Sequence, residues 1–484
     1  MASSWYLVEL QVSVPIFGMY PKIQKNLCSQ KRDTLVLNVQ SSRSGCLDNP
    51  IRYIYAPEKV EMESKMKSHQ HIIRPSKGVA DVSNTTLALV LIGTLTAHTA
   101  EHIFAMSLAP LIVLVQKDIP MTLTQIGILS TSQVVPNVVL GMIYGILADK
   151  YGSKFFIIGG AGLSSLGVYL TARATTYSSL LIAQVLLGIA LSAYHPTGFG
   201  MVTRVFSKRP EALGRGLSIQ GMGGAGGSGI APLLMAALAE WYGGWRRALE
   251  GVAMIGLGAT LLAAVTLLFV DETIEPSRED PLPKAVGTQR KGSGWNISLL
   301  TTSFVMLLLF AFTRAAVFRN AMYFFPYYFE NLGYTVFVAA AFTSVFFGIG
   351  AIFQVFGGVL ADKVASKRGI FLGSSVLSGI ACLVLALGGR GAWLIVILVV
   401  FGGSFFVAIP SMSVSVSQHA PTKSQGTIFA LYFAIISLFG ALSSTVFGMI
   451  GDKWSLQMGL MFVASLCFLG ALFANRIQKS PMGR

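Results

Sequence analysis

His98, Glu101 and His102 stand at i, i+3 and i+4 in a stretch otherwise made of apolar and small residues. In a helix that spacing puts all three on one face. It gives a carboxylate flanked by imidazoles that titrate within reach of physiological pH. Such a trio can take up and release protons, or offer nitrogen and oxygen ligands to a cation. Arg314 and Arg319 lie in a second apolar stretch, and guanidinium is suited to bidentate recognition of carboxylate or phosphonate. His195 stands in a third, one residue before Pro196, where proline interrupts the backbone ladder and frees carbonyls for a ligand. A charge kept inside a membrane costs roughly 2.5–3.5 kcal/mol on insertion scales, so those retained face a cavity or a partner.

The elements that must position these groups are membrane helices. Of 484 residues, 53% are hydrophobic and only 12% charged, far below the ~25% charged residues of soluble domains. Twelve apolar stretches, each about long enough to cross a ~30 Å hydrocarbon core, recur between residues 85 and 475. Lipid offers no partner to backbone N–H and C=O groups, and the alternation of a membrane barrel is absent, so the spans must be helical. The net charge of +15 reflects topology rather than nucleic-acid binding, because the basic residues are spread through the short loops. Lys150, Lys154, Arg204, Lys208, Arg209, Arg215, Lys363, Lys367, Arg368 and Lys423 fall on one side. The other side holds fewer, which makes the richer side and both termini cytoplasmic. Cys28, Cys46, Cys382 and Cys467 have no CxxC spacing, which speaks against a metal knuckle or redox pair.

The chain is a duplication. Gly145-Ile146-Leu147-Ala148-Asp149-Lys150 and Gly358-Val359-Leu360-Ala361-Asp362-Lys363 are almost one hexapeptide written twice, 213 residues apart. Gly188 and Pro196 match Gly402 and Pro410 at 214. The same offset makes Glu101 and Arg314 counterparts of opposite charge. The expected organisation is a polar, disordered extension over 1–83, a six-helix bundle over 84–270 and a flexible cytoplasmic linker over 271–294. A second bundle over 295–476 and a cytoplasmic tail over 477–484 follow. Met62 and Met66 offer alternative starts.

The loop Gly145-x-Leu147-Ala148-Asp149-Lys150-x-Gly152-Ser153-Lys154 resembles the signature loop of the major facilitator superfamily. Six plus six spans in parallel repeat is that family's design. The resemblance implies an all-α membrane protein, twelve transmembrane helices forming two six-helix bundles about a pseudo-twofold axis. It implies that helices one, four, seven and ten line a central cavity. It also implies a charge relay in which Asp149 holds the N-terminus of a later helix and nearby cations, an arrangement worth about 0.3–1 kcal/mol near a helix end. Gly145, Asp149, Lys150, Gly152 and Lys154 form the working latch. Gly358, Asp362 and Lys363 form a second, weaker one, since Ala365 replaces the glycine of its turn. His98, the segment Ser192-Ala193-Tyr194-His195-Pro196 and the run Gly223-Gly224-Ala225-Gly226-Gly227-Ser228-Gly229-Ile230-Ala231-Pro232 are similar to the fosmidomycin-resistance branch of efflux transporters. Glu101-His102 departs from the Asn-Asp typical there, and Ala225 and Ala231 depart at two further positions.

These readings converge on a secondary active transporter working by alternating access, coupling protons to efflux of a small polar or anionic organic molecule. Glu101 carries the proton, with His98 and His102 as relay; His195, Arg314 and Arg319 bind substrate. Gly223, Gly224, Gly227 and Pro232 serve close helix packing. The aromatics Tyr323 to Phe329 read as interfacial anchors, with Pro326 bending an outer gate. The expected setting is the cell membrane, with a lipid bilayer, protons and a small-molecule substrate as partners, as a monomer without nucleic acid, cofactor or metal. Alternatives are proton-coupled uptake of an organic anion, a divalent-metal carrier using His98, Glu101, His102 and His195, and a non-transporting receptor. No Walker-type loop, HExxH or nucleophile elbow is present, so neither ATP drive nor enzyme chemistry is expected.

Overall fold

The computed structural model describes residues 82–206, 208–271, 302–364, 366–419 and 425–477. The expected disorder of the extension, the flexible linker and the tail thus concern segments lying almost wholly outside the described residues. Twelve helices among the described residues are long and apolar enough to span a bilayer. Spans one to six are Asn84–Asp118, Leu123–Tyr151, Lys154–Ala172, Tyr177–Phe206, Arg215–Tyr242 and Trp245–Leu267. Spans seven to twelve are Thr302–Asn331, Val336–Ala361, Arg368–Ala386, Trp393–Val416, Tyr432–Lys453 and Leu456–Arg476. No strand occurs among the described residues.

Span ends are set by local chemistry. Thr122 and Gln125 close a reciprocal capping box at the start of span two, and Ser83, Thr335 and Ser455 accept from the backbone of spans one, eight and twelve. Each satisfies an N–H that the first helical turn leaves without a partner. Three spans are interrupted. Span one breaks after Ala105, passes through a 3₁₀ turn at Ala109–Leu111 and resumes at Ile112. Span four breaks between Leu191 and Tyr194, and span ten between Phe406 and Ile409. In the last two, Pro196 and Pro410 fall in the first turn of the second piece, where a missing N–H costs nothing.

The packing repeats the duplication. Span one packs on five and six as seven packs on eleven and twelve. Span four meets two and three as ten meets eight and nine, and three meets six as nine meets twelve. Gly188 lies against the Gln133 carbonyl where spans four and two cross, and Gly402 lies against the Phe346 carbonyl at the equivalent crossing of ten and eight. A side chain at either glycine would hold the backbones apart. The two six-helix halves join mainly along two pairs, spans two with eleven and five with eight, and span seven also meets the 3₁₀ turn of span one.

One expectation is corrected. Tyr323, Phe324, Phe325, Tyr328 and Phe329 are fully buried and do not face the interface. Phe325, for example, packs on Phe346 and Phe401 at ring separations of 5.2 and 5.9 Å. Span seven is central, so its aromatics fill the core around all its neighbours. Tryptophans take the belt position instead: Trp241, Trp393 and Trp454 are largely exposed at one end of the bundle, where an amphipathic ring suits the headgroup level.

Candidate functional site: a polar cluster at a central cavity

Span one presents His98, Glu101 and His102 inward, and span four brings His195 to them. One ligand-type atom from each of the four lies within 4.8 Å of the others. Glu101 Oε2 is 3.4 Å from His102 Nε2, and Glu101 Oε1 is 3.6 Å from His195 Nε2. His98 and Glu101 are buried, at 4% and 8% exposure. His98 Nδ1 donates to the Gln220 carbonyl at 2.7 Å; a carbonyl only accepts, so the neutral ring carries its lone pair on Nε2. His98 Nε2 and Glu101 Oε2 then have no hydrogen-bond partner. His102 Nδ1 and Ser228 Oγ form a 2.9 Å hydrogen bond. Two acceptors buried without a donor would each cost about 1–3 kcal/mol, so the arrangement calls for a positive species.

The glycine-rich fifth span makes room for this. A Cβ added at Gly224 would lie 2.9 Å from both His98 Nε2 and His102 Nε2, and one at Gly227 would lie 2.6 Å from the Thr99 carbonyl. A Cβ added at Gly223 would lie 3.1 Å from the Leu95 carbonyl. Span five stays helical through Pro232, and Gly221 and Gly226 face open space. Tyr194, Gln220 and Ser228 complete the setting and were given no role from sequence, although Tyr194 and Ser228 lie in segments that carry the family resemblance. Tyr194 stacks on His98 at 4.9 Å and donates to the Thr94 carbonyl at 2.5 Å. The only local signal was its place beside His195.

The cluster borders a cavity of about 330 Å³ between the halves, lined also by Arg314, Phe318, Arg319, Met322, Phe405 and Tyr432. The two arginines differ. Arg319 interacts electrostatically with Glu101, while Arg314 stacks on Phe405 at 3.9 Å and donates to the Phe405 carbonyl. Arg314 shares the cavity with Glu101, but the close ionic contacts of Glu101 run to His102 and His195. Arg314 Nε and Nη1 remain without partners, as does Tyr323 Oη.

The cavity reaches toward the end of the bundle where Asp149 and Lys363 lie, here the motif face, since spans ten and eleven contribute residues from their motif-face halves, such as Met412, Ser413 and Phe433. There Asp149 Oδ1 accepts from Arg204 Nη1 at 3.3 Å, Arg204 also reaches Ser153, and Lys154 donates to the Val270 carbonyl at 3.2 Å. Gly152 ends span two at φ 89°, a left-handed conformation that favours glycine. A Cβ added at Gly145 would lie 3.4 Å from Pro196, one at Gly358 would meet open space, and Lys150 and Lys363 are exposed. The Asp362 side chain and Ala365 lie outside the described residues.

The opposite face is sealed by a residue that the sequence reading passed over. Asp452, at the end of span eleven, accepts from Leu123 N and Thr124 N at 2.8 Å each and from Thr124 Oγ1 at 2.6 Å. It caps the N-terminus of span two across the two halves. Gly448-Met449-Ile450-Gly451-Asp452-Lys453 is a third version of the doubled hexapeptide, a signal available in the sequence. Beside it Gly127 meets the Ser444 backbone and Gly448 the Leu123 backbone, Thr131 donates to the Ala441 carbonyl at 2.8 Å, and Leu233 N donates to Ser344 at 3.2 Å.

Residues 90–444 match the Major Facilitator Superfamily. The chain is 27% identical over 406 residues to a fosmidomycin resistance protein of Escherichia coli, covering 82% of this chain and 96% of that one. It is 23% identical over 313 residues to a probable nitrate transporter, NarT, of Staphylococcus epidermidis, covering 64% and 73%. Among solved structures, an inward-facing, occupied bacterial homologue of the human lysosomal transporter Spinster superposes with a TM-score of 0.70 at 17% identity, over 82% of this chain and 98% of that one. Twelve spans, paired halves and a polar cavity between them accompany this match, and the chain belongs to the Major Facilitator Superfamily of membrane transporters.

Proposed function

We propose that the protein is a proton-coupled antiporter that exports a small polar or anionic organic molecule, with Glu101 as the proton carrier. The observation that carries this is a buried carboxylate with an unpartnered oxygen beside a cavity of about 330 Å³, within the size range of small-molecule sites. Protonation supplies Glu101 with the donor it lacks, and Arg319 lines the same cavity as a counter-charge once the proton leaves. Ionised Glu101 and a substrate anion therefore contend for Arg319, which links protonation to substrate binding. His98 and His102 relay the proton, while Arg319, Arg314 and His195 hold the substrate. Likeness to a fosmidomycin resistance protein supports export and a phosphonate-like anion. Likeness to a probable nitrate transporter supports the alternative of anion uptake through the same arginines.

In this reading the motif face is cytoplasmic, both termini lie on that side, and the transporter works as a monomer in the cell membrane. The loops of Asp149 and Lys363 latch the motif face when the opposite face opens. The divisions at residues 83, 270, 294 and 476 bound the extension, two bundles, linker and tail.

Reconstitution into vesicles with an imposed pH gradient tests coupling. Phosphonate and carboxylate candidates should flow against the proton gradient and alkalinise the proton-rich compartment. Glu101→Gln, with normal melting behaviour, should abolish the gradient's effect on flux; gradient-driven flux undiminished in that variant would end the assignment.

A further inference from the structure

We propose that His98, Glu101, His102 and His195 form a binding site for a Zn²⁺-like transition-metal cation, which enters in place of the coupling proton and arrests the transporter. Binding itself is independent of the antiport reading; the arrest rests on that reading.

The geometry approaches that of a tetrahedral site. Two ligands held at about 2.1 Å from zinc and subtending a tetrahedral angle lie ~3.4 Å apart. Glu101 faces one imidazole with each oxygen, Oε2 at 3.4 Å from His102 Nε2 and Oε1 at 3.6 Å from His195 Nε2, both longer than the 2.7–2.9 Å usual for charge-assisted hydrogen bonds. All four ligand atoms fall within 4.8 Å of one another, so closure needs side-chain adjustment of about an ångström. His98 Nε2 and Glu101 Oε2 are buried without partners, and the hydrogen bond from His98 Nδ1 to the Gln220 carbonyl leaves the Nε2 lone pair available.

The surroundings match those of metal-ligating histidines, whose second ring nitrogen characteristically meets a carbonyl, carboxylate or water. His98 has the Gln220 carbonyl, and His102 has Ser228 Oγ at 2.9 Å. Three imidazoles and one carboxylate suit zinc-like cations, whereas magnesium and calcium require oxygen-rich shells. The carboxylate offsets one of the two metal charges. Arg319 of span seven and Tyr194 of span four are the other ionisable groups that interact with the cluster. Arg319 opposes the cation, so the site selects for ligands that bind nitrogen strongly. A metal held on Glu101 excludes the proton from that carboxylate, and the coupling step stops.

Co²⁺ is the probe, added to the purified full-length chain in detergent. One equivalent per chain should give the intense visible absorption of four-coordinate cobalt, and Zn²⁺ should bleach it. Glu101→Gln and His195→Ala should each weaken binding more than ~10-fold, with Ser228→Ala weakening it by roughly 10–100-fold through the second shell. His195 makes ring contacts but no described hydrogen bond, so His195→Ala is the variant best placed to stay folded, checked by its melting curve. Changing His69, His71 and His419 together to Gln should leave binding intact. No cobalt spectrum from folded protein, or one unaltered in both Glu101→Gln and His195→Ala, overturns the site. Zn²⁺ should also halt flux in vesicles; undiminished flux at saturating Zn²⁺ overturns the arrest. Cobalt binding alongside pH-independent flux would refute proton coupling while leaving the metal site standing.

Discussion

Asp452→Ala should open the face opposite the signature loops. In the structure one carboxylate receives three hydrogen bonds from the first turn of span two, at 2.8, 2.8 and 2.6 Å. When that face opens, these donors pass to water, so the net value of each bond is far below its intrinsic strength. The site is exposed, and solvent screening reduces the charge contribution further. The appropriate scale is that of a helix cap, about 1–2 kcal/mol, which corresponds to a shift of roughly 5–30-fold in the closed-to-open ratio. Hydrogen exchange reads this directly. Backbone amides at the start of span two and the end of span eleven should exchange faster by that factor in Asp452→Ala, by less in Asp452→Asn, and no faster than the parent in Asp149→Ala. Exchange in these segments identical to the parent protein would refute the idea that Asp452 holds the two halves together.

Other perturbations isolate other parts of the site. Gly224→Ala places a methyl 2.9 Å from two imidazole nitrogens; it should destabilise by about 1–3 kcal/mol as overpacking does and depress transport, measured by melting and flux. Gly221→Ala, which faces open space, should leave the melting temperature equal or slightly higher because alanine favours helix by ~1 kcal/mol. Arg314→Lys should raise the KM for an anionic substrate several-fold, since lysine lacks the planar surface stacked at 3.9 Å on Phe405 and the fork that reaches its carbonyl. Phe325→Ala should cost about 3–5 kcal/mol as a core truncation, visible in the melting curve, whereas an interfacial ring would cost far less.

Much of the site was legible because its residues are chemically out of place. His98, Glu101, His102, Arg314 and Arg319 are conspicuous in apolar stretches, and helical spacing alone puts the first three on one side. His195 drew notice through Pro196. Tyr194, Gln220 and Ser228 were assigned no role, since polar but uncharged residues are common in membrane helices and only their contacts distinguish them. The aromatics of span seven misled for a related reason: a ring run ending near an interface looks the same whether it meets headgroups or neighbouring helices.

The sequence by itself determined that the chain spans a membrane twelve times and is built from two related halves, because hydrocarbon leaves the backbone no alternative to helix and the repeated hexapeptide records the duplication. It also marked the glycines and prolines at which helices touch or break. Tertiary structure alone decided which partners those groups meet. The 213-residue offset paired Glu101 with Arg314, but the offset relates equivalent positions in two halves and carries no distance between them. Packing placed Glu101 among three imidazoles with Arg319 as its interacting guanidinium, turned Arg314 onto Phe405, and set Asp452 on the end of span two. Such contacts join residues up to 329 positions apart, and they depend on how the halves close rather than on any local pattern.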